Sequence, residues 1–309
     1  MLRTALLVSL AAASAVACTI EQREPQRPGQ VAATVDLSSG THVVLLGTGT
    51  PNPDPQRYGP SVAIVVNGEP YLVDAGAGVV RRASAAGLEM TRLRRVFLTH
   101  LHSDHTIGLP DLLLTPWVLE RDAPLAVFGP TGTAEMMAHL MAAYDADIRR
   151  RIDGLQPQNG TGWRAEVTHL QPGMVYQDSL VTVTAIPVPH EDWPEAYGFR
   201  FETADRVIVV SGDTRWSDAL IEACNGCDVL VHEVYSDAGF AGREPEWQRY
   251  HAHAHTGAAE LGRLATQARP GLLLLYHQLH WGVPDEQLVL EVRSTFGGRV
   301  VSGKDLGVY

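Results

Sequence analysis

Val96-Phe97-Leu98-Thr99-His100-Leu101-His102-Ser103-Asp104-His105 leaves an apolar strand and runs into the apolar helical pattern of residues 107–119. In extended backbone, residues i and i+2 project to the same side, so His100 and His102 can grip one cation. Asp104 and His105, where the chain turns towards the helix, can address a second ion nearby. Three imidazoles and a carboxylate within six residues suit a borderline metal such as Zn²⁺, which takes N and O ligands. Four ligands cannot close two sites, so further ligands are expected at other strand ends. His190 ends the run 180–188, Asp213 follows 207–210 within Ser211-Gly212-Asp213-Thr214, and His277 ends 272–276.

Around this stretch, β-rich runs alternate with helical patterns and no repeat recurs, which defines an α/β protein. Strands are expected at 42–47, 61–66 and 71–73 (the last two joined by Asn67-Gly68), 95–99, 125–128, 180–188, 198–202, 207–210, 229–231 and 272–276. Helical spacing marks 258–268, with Thr256 as a cap, and 288–296 between Pro284 and Gly297. Many strands with interspersed helices predict two mixed β-sheets packed as a sandwich with helices outside. With 309 residues, 45% hydrophobic and 19% charged, wholesale disorder, collagen and coiled coil are excluded. The balance of 24 basic and 35 acidic residues, net −11, makes nucleic acid a poor default partner. The densest basic run, Arg149-Arg150-Arg151, reads as the solvated face of a helix.

Residues 1–18 read as a sorting signal: Arg3 precedes an apolar run too short to span a bilayer. Ala15-Val16-Ala17 suits a soluble-protein cleavage site, whereas Ala17-Cys18 resembles the end of a bacterial lipoprotein signal, with Cys18 as the lipid anchor. Residues 19–40 are polar and Pro-bearing, as a tether is, and 41–309 form the folded domain. The expected location is therefore exported, periplasmic or membrane-anchored. Cys224 and Cys227 either close a disulfide or serve as two small core residues.

From residue 42 to the end, the sequence resembles the metallo-β-lactamase superfamily, in the branch of ribonuclease Z, zinc arylsulfatases and related phosphodiesterases. The likeness rests on Gly47-Thr48-Gly49-Thr50-Pro51, Asp74-Ala75-Gly76, the His100 to His105 run, Gly108-Leu109-Pro110, Tyr197-Gly198-Phe199-Arg200, Gly212-Asp213-Thr214, His232-Glu233, His255-Thr256 and His277. It implies an αββα sandwich with two zinc ions, or other divalent metals, at one edge. His100, His102 and His190 would bind the first, Asp104, His105 and His277 the second, and Asp213 would bridge them. Asp74 resembles the family's carboxylate that orients ligand loops from behind. His255 resembles the histidine that protonates the leaving group.

Two such ions, about 3.5 to 4 Å apart, can share a hydroxide that attacks at neutral pH. Asp104, His255 and Glu233 are the expected catalytic side chains, Glu233 orienting His255 or serving only a structural role. Ribonuclease Z inserts a long tRNA-clamping arm after its counterpart of Tyr197-Gly198-Phe199-Arg200; here only residues 201–211 intervene. Trp193, Tyr197 and Trp281 lie close in sequence to His190 and His277, as cleft or packing residues. The favoured expectation is hydrolysis of small aryl sulfate esters or phosphodiesters. A lactonase or β-lactamase, a ribonuclease Z-like tRNA 3′ endonuclease, and a non-catalytic zinc-binding surface lipoprotein are the alternatives. A small-molecule substrate is the expected partner, the membrane is reached only through Cys18, and a homodimer is left open.

Overall fold

A computed structural model describes residues 35–309, of which Asp36–Tyr309 form one compact unit. The leader, Cys18 and most of the expected tether lie outside the described residues. Residues 36–40, expected as the end of that tether, already pack: the Gly40 N–H donates to Asn67 Oδ1 at 2.9 Å and its carbonyl accepts from the Asn67 N–H.

Among the described residues the strands are β1 Thr41–Gly47, β2 Ser61–Val66, β3 Glu69–Val73, β4 Arg95–Phe97, β5 Leu125–Gly129, β6 Ala165–His169, β7 Gly173–Gln177, β8 Val181–Pro187, β9 Tyr197–Thr203, β10 Val207–Val210, β11 Val229–Tyr235, β12 Leu272–Leu279 and β13 Val300–Ser302. The helices are α1 Val79–Ala85, α2 Ser103–Thr106, α3 Leu109–Val118, α4 Thr133–Ala143, α5 Asp145–Ile152, α6 Asp218–Cys224, α7 Asp237–Ala241, α8 Pro245–Ala254, α9 Ala258–Ala268 and α10 Asp285–Arg293. One sheet runs β1-β2-β3-β4-β5-β6 and the other β13-β12-β11-β10-β9-β8-β7, both mixed in direction. This is the expected sandwich of two sheets flanked by helices. Alternation along the strands builds its layers: Val43, Ile64, Tyr71, Phe97, Phe199, Phe201 and Val210 fill the space between the sheets. The opposite faces pack on α1 and α3 in one half and on α6, α9 and α10 in the other.

Several local expectations change. The helix foreseen over 107–119 is α3, which starts at Leu109; ahead of it Gly108 lies against the backbone of Ala75 and Gly76, where an added Cβ would sit 2.3 Å from the Gly76 carbonyl oxygen, and the short α2 precedes it. Gly257, not Thr256, precedes α9; the Thr256 N–H instead donates to Glu233 Oε1 at 2.8 Å. Phe296 falls beyond the end of α10. Strands β6, β7 and β13 were not foreseen. The Asn67-Gly68 hairpin has positive φ at both residues, 49° and 81°, the geometry that such pairs favour. Cys224 and Cys227 are joined in a disulfide across the left-handed turn Asn225-Gly226. Arg149 and Arg151 of α5 pair with Asp145 and Asp147 one turn earlier, so that basic run is largely neutralised.

Candidate metal centre

The ligand candidates come together at one end of the sandwich, Asp104 and His105 on α2 and the others at the end or interruption of a strand. His100 and His102 follow β4, His190 follows β8 and Asp213 follows β10. His277 departs from expectation: β12 continues to Leu279, and His277 is an extra residue in it, skipped between the pairs Glu233–Tyr276 and Val234–Gln278. Its φ is +43°, and such a bulge re-aims a side chain that a regular pleat would point elsewhere.

Three nitrogens form the first group. His102 Nδ1 lies 3.0 Å from His100 Nε2 and 3.3 Å from His190 Nε2. Two outer nitrogens are engaged: His190 Nδ1 donates to the Ala254 carbonyl at 2.8 Å and His100 Nδ1 meets Thr99 Oγ1 at 2.9 Å, while the Trp193 indole nitrogen lies 3.0 Å from His102 Nε2, the nitrogen that carries the proton when Nδ1 takes a metal. Burial holds all three imidazoles below their usual pKa, in the neutral form that binds metal. In the second group, Asp104 Oδ2 lies 3.4 Å from His105 Nε2 and 3.3 Å from His277 Nε2, and Asp213 Oδ2 lies 3.4 Å from each of the same nitrogens. Burial alone would lower His105 and His277, but Asp213 and Asp104 outweigh it and hold both above the usual value.

These side chains fit divalent ions. His105 Nε2 and Asp213 Oδ1 are buried without a hydrogen-bond partner. The three nitrogens of the first group stand at about the separation set by a tetrahedral ion with N at 2.0–2.1 Å. Asp213 lies within ligand distance of His100 and His105 together, between the two groups. Behind them, Asp74 (φ +60°) accepts from the Thr99 N–H and from His105 Nδ1, both at 2.8 Å, fixing the ring that faces the centre.

Glu233 is fully buried on β11, and its Oε2 lies 3.4 Å from His255 Nδ1. Its Oε1 accepts from the Thr256 N–H. Burial, reinforced by Asp213, pushes this carboxyl well up, while burial brings His255 down to about 4. His255 Nδ1 faces inward to Glu233 and Asp213, leaving Nε2 as the nitrogen towards the cleft.

The expected cleft aromatics separate. Trp193 lies edge-on to His102, with ring centroids 5.1 Å apart. Trp281 packs on Tyr235 and His251. Tyr197 is corrected: it is 4% exposed and belongs to the core between the sheets, because alternation puts it on the same face as Phe199 and Phe201. Missed by the sequence reading were the aromatic residues of α8 and a cavity of about 650 Å³ that joins Asp104 and Ile107 to Tyr58 and the Pro-rich loop 50–55. The Pro51-Asn52-Pro53-Asp54-Pro55 pattern was the available signal.

Residues 70–278 match the model of the beta-lactamase superfamily domain. A ribonuclease Z of Mycobacterium bovis (strain BCG / Pasteur 1173P2) is 35% identical over 269 residues, covering 85% of this chain and 96% of that protein. One of Mycolicibacterium gilvum is 34% identical over 273 residues, covering 85% and 94%. Coverage this even leaves no room for a long insertion, so the short connection between β9 and β10 does not set this chain apart from those relatives. In fold it is similar to the metallo-beta-lactamase fold protein YhfI of Bacillus subtilis (TM-score 0.69, 21% identity, 87% of this chain and 98% of that one) and to human tRNase Z, short form (0.67, 23%, 87% and 98%). With the sandwich, the ligand run and these likenesses together, the chain belongs to the metallo-β-lactamase superfamily, in its ribonuclease Z-like branch, and is a metal-dependent hydrolase.

Proposed function

We propose that the chain is a phosphodiesterase that cuts RNA, working with two divalent ions, zinc foremost. When bound, such ions supply Lewis acidity and a nucleophile drawn from water at neutral pH. His100, His102 and His190 would hold one, Asp104, His105 and His277 the other, with Asp213 serving both. Asp104, whose side chain is 10% exposed, reaches the cleft and can accept a proton from the incoming water.

The observation that carries this reading is the Glu233–His255 pair beside the ligand groups. Cleaving RNA expels a ribose alkoxide, which is strongly basic and needs a proton as it leaves. His255 can give that proton from Nε2 while Nδ1 recovers one from Glu233, which burial favours in its protonated form. An aryl sulfate expels a weakly basic group and has little use for such a donor. The relatives named ribonuclease Z support the same choice. Export with lipid at Cys18 remains part of the proposal, and it would put the RNA outside the cytoplasm.

The test sets end-labelled RNA oligonucleotides against bis(4-nitrophenyl) phosphate, 4-nitrophenyl sulfate and a lactone, with and without chelator. Chelator-sensitive RNA cleavage is expected. Brisk sulfate or lactone turnover with intact RNA would overturn the assignment.

A further inference from the structure

One face of α8 builds a wall above the metal centre. Trp247 lies nearly parallel to His251, with centroids 5.7 Å apart and planes at 25°. His251 lies 5.5 Å from His255 in turn, and Trp281 closes on His251 at 4.6 Å. Tyr250 stands 6.4 Å from His255. Trp247 and Tyr250 remain 46% and 37% exposed, so both rings are open to a ligand. The Arg243 guanidinium sits 5.8 Å over Trp247 and 5.4 Å over Trp281. Among the described residues no carboxylate forms an ion pair with Arg243, and its Nε is buried without a partner. Trp281 holds φ at +47°, a conformation bulky residues rarely keep without a reason.

The wall is fixed to the centre. The His190 ring and the Glu191 N–H hydrogen-bond the Ala254 and His253 carbonyls at the end of α8, so a metal-ligand loop and the wall share one frame. We propose that this wall binds a nucleobase and its neighbouring phosphate on the leaving-group side of the scissile bond. The base lies against Trp247 and Tyr250, and Arg243 meets the phosphate. The side follows from position, because the wall adjoins His255, the proton donor. Exposed rings with an uncompensated cation are what an unstacked nucleotide needs, since every base has a π-face and its phosphate a charge. This inference deepens the RNA-cleaving reading and rests on it.

The test is calorimetric titration of the zinc-loaded protein with adenosine 5′-monophosphate and with ribose 5-phosphate, which lacks the base. Wild type should favour the nucleotide by about fivefold or more. Trp247→Ala with Tyr250→Ala should close that gap, Trp247→Phe should keep most of it, and Arg243→Ala should weaken nucleotide binding. Leu155→Ala, a fully exposed control outside the site, should change nothing. Equal wild-type affinity for the two ligands, or a gap that survives the double substitution in protein with normal metal content, overturns the wall. RNA cleavage without a gap would sink the wall alone, whereas a gap without RNA cleavage would support base binding and sink the RNA reading.

Discussion

Replacing His255 with Ala should cut RNA hydrolysis while sparing activated substrates. The imidazole is 5% exposed, and its Nδ1 faces Glu233 Oε2 at 3.4 Å. Removing it leaves that oxygen without a neighbour, but Glu233 Oε1 keeps the Thr256 N–H at 2.8 Å and the Thr214 N–H at 3.4 Å. The frame and the ligand groups should therefore persist. A positioned proton donor contributes about 10²–10⁴-fold, or about 3–5 kcal/mol of barrier. That full loss is expected for RNA, whose leaving oxygen is an alkoxide. For bis(4-nitrophenyl) phosphate, whose leaving group departs without a proton, the loss should stay under about tenfold. Glu233→Gln should fall between wild type and His255→Ala on RNA, since it removes the proton that refills Nδ1 but keeps the donor. The assay is kcat on both substrates alongside metal analysis of each variant. Equal losses on the two substrates, or loss of metal in His255→Ala, would refute the donor role and assign His255 to holding the centre together.

Elemental analysis of metal-replete protein should find about two divalent ions per chain, and one or fewer in Asp213→Ala, because Asp213 is shared by the groups; two ions retained in the variant would contradict this. Asp285 titrates below its usual value: burial works against it, but Arg57 (Nη2 to the two carboxylate oxygens, at 2.8 and 3.1 Å), Ser302 and His280 prevail. Its folded pKa is depressed, so its stabilisation is present above the unfolded pKa of about 3.9 and is lost as pH falls through the folded value. Asp285→Asn should accordingly cost about 1–2 kcal/mol at pH 7, after discounting for partial exposure, and should flatten the acid limb of a denaturation series. An unchanged acid limb would remove Asp285 from that role. For the leader, native protein should partition into detergent and Cys18→Ala should release it or block processing; a fully soluble product starting at Cys18 without lipid would leave simple secretion.

The grouping of ligand candidates was legible because they obey local rules. His100 and His102 share a side by period two, and His190 and Asp213 stand just past strong apolar strands. The inter-sheet core obeys the same alternation, which the sequence reading did not use; applying it to Tyr197, Phe199 and Phe201 would have kept Tyr197 out of the cleft. Strands β6 and β7 escaped notice because their residues are half-exposed and mix Glu, Thr, His and Gln with a few apolar positions, so neither face carries a clear stripe. The α8 wall was invisible for another reason. The 190–193 loop meets α8 across about sixty residues of chain, through hydrogen bonds to carbonyls that no side-chain pattern announces.

Among the described residues nine other than glycine have positive φ, and four of them, Asp74, Glu191, His277 and Trp281, surround the centre. Left-handed backbone costs an ordinary residue of order 1 kcal/mol or more, so chance scatter would not be expected to gather it at one edge of the sandwich. Each instance puts a side chain where regular structure could not: Asp74 behind His105, His277 out of the pleat of β12, Trp281 across His251, and Glu191 within 3.9 Å of His102. Glycine would relieve the strain at any of these positions and delete the group it positions. Substituting Glu191→Gly should therefore leave stability level or slightly raised while weakening metal retention at the first group. A variant that is clearly destabilised but keeps its metal would show that the backbone there serves the fold rather than the site.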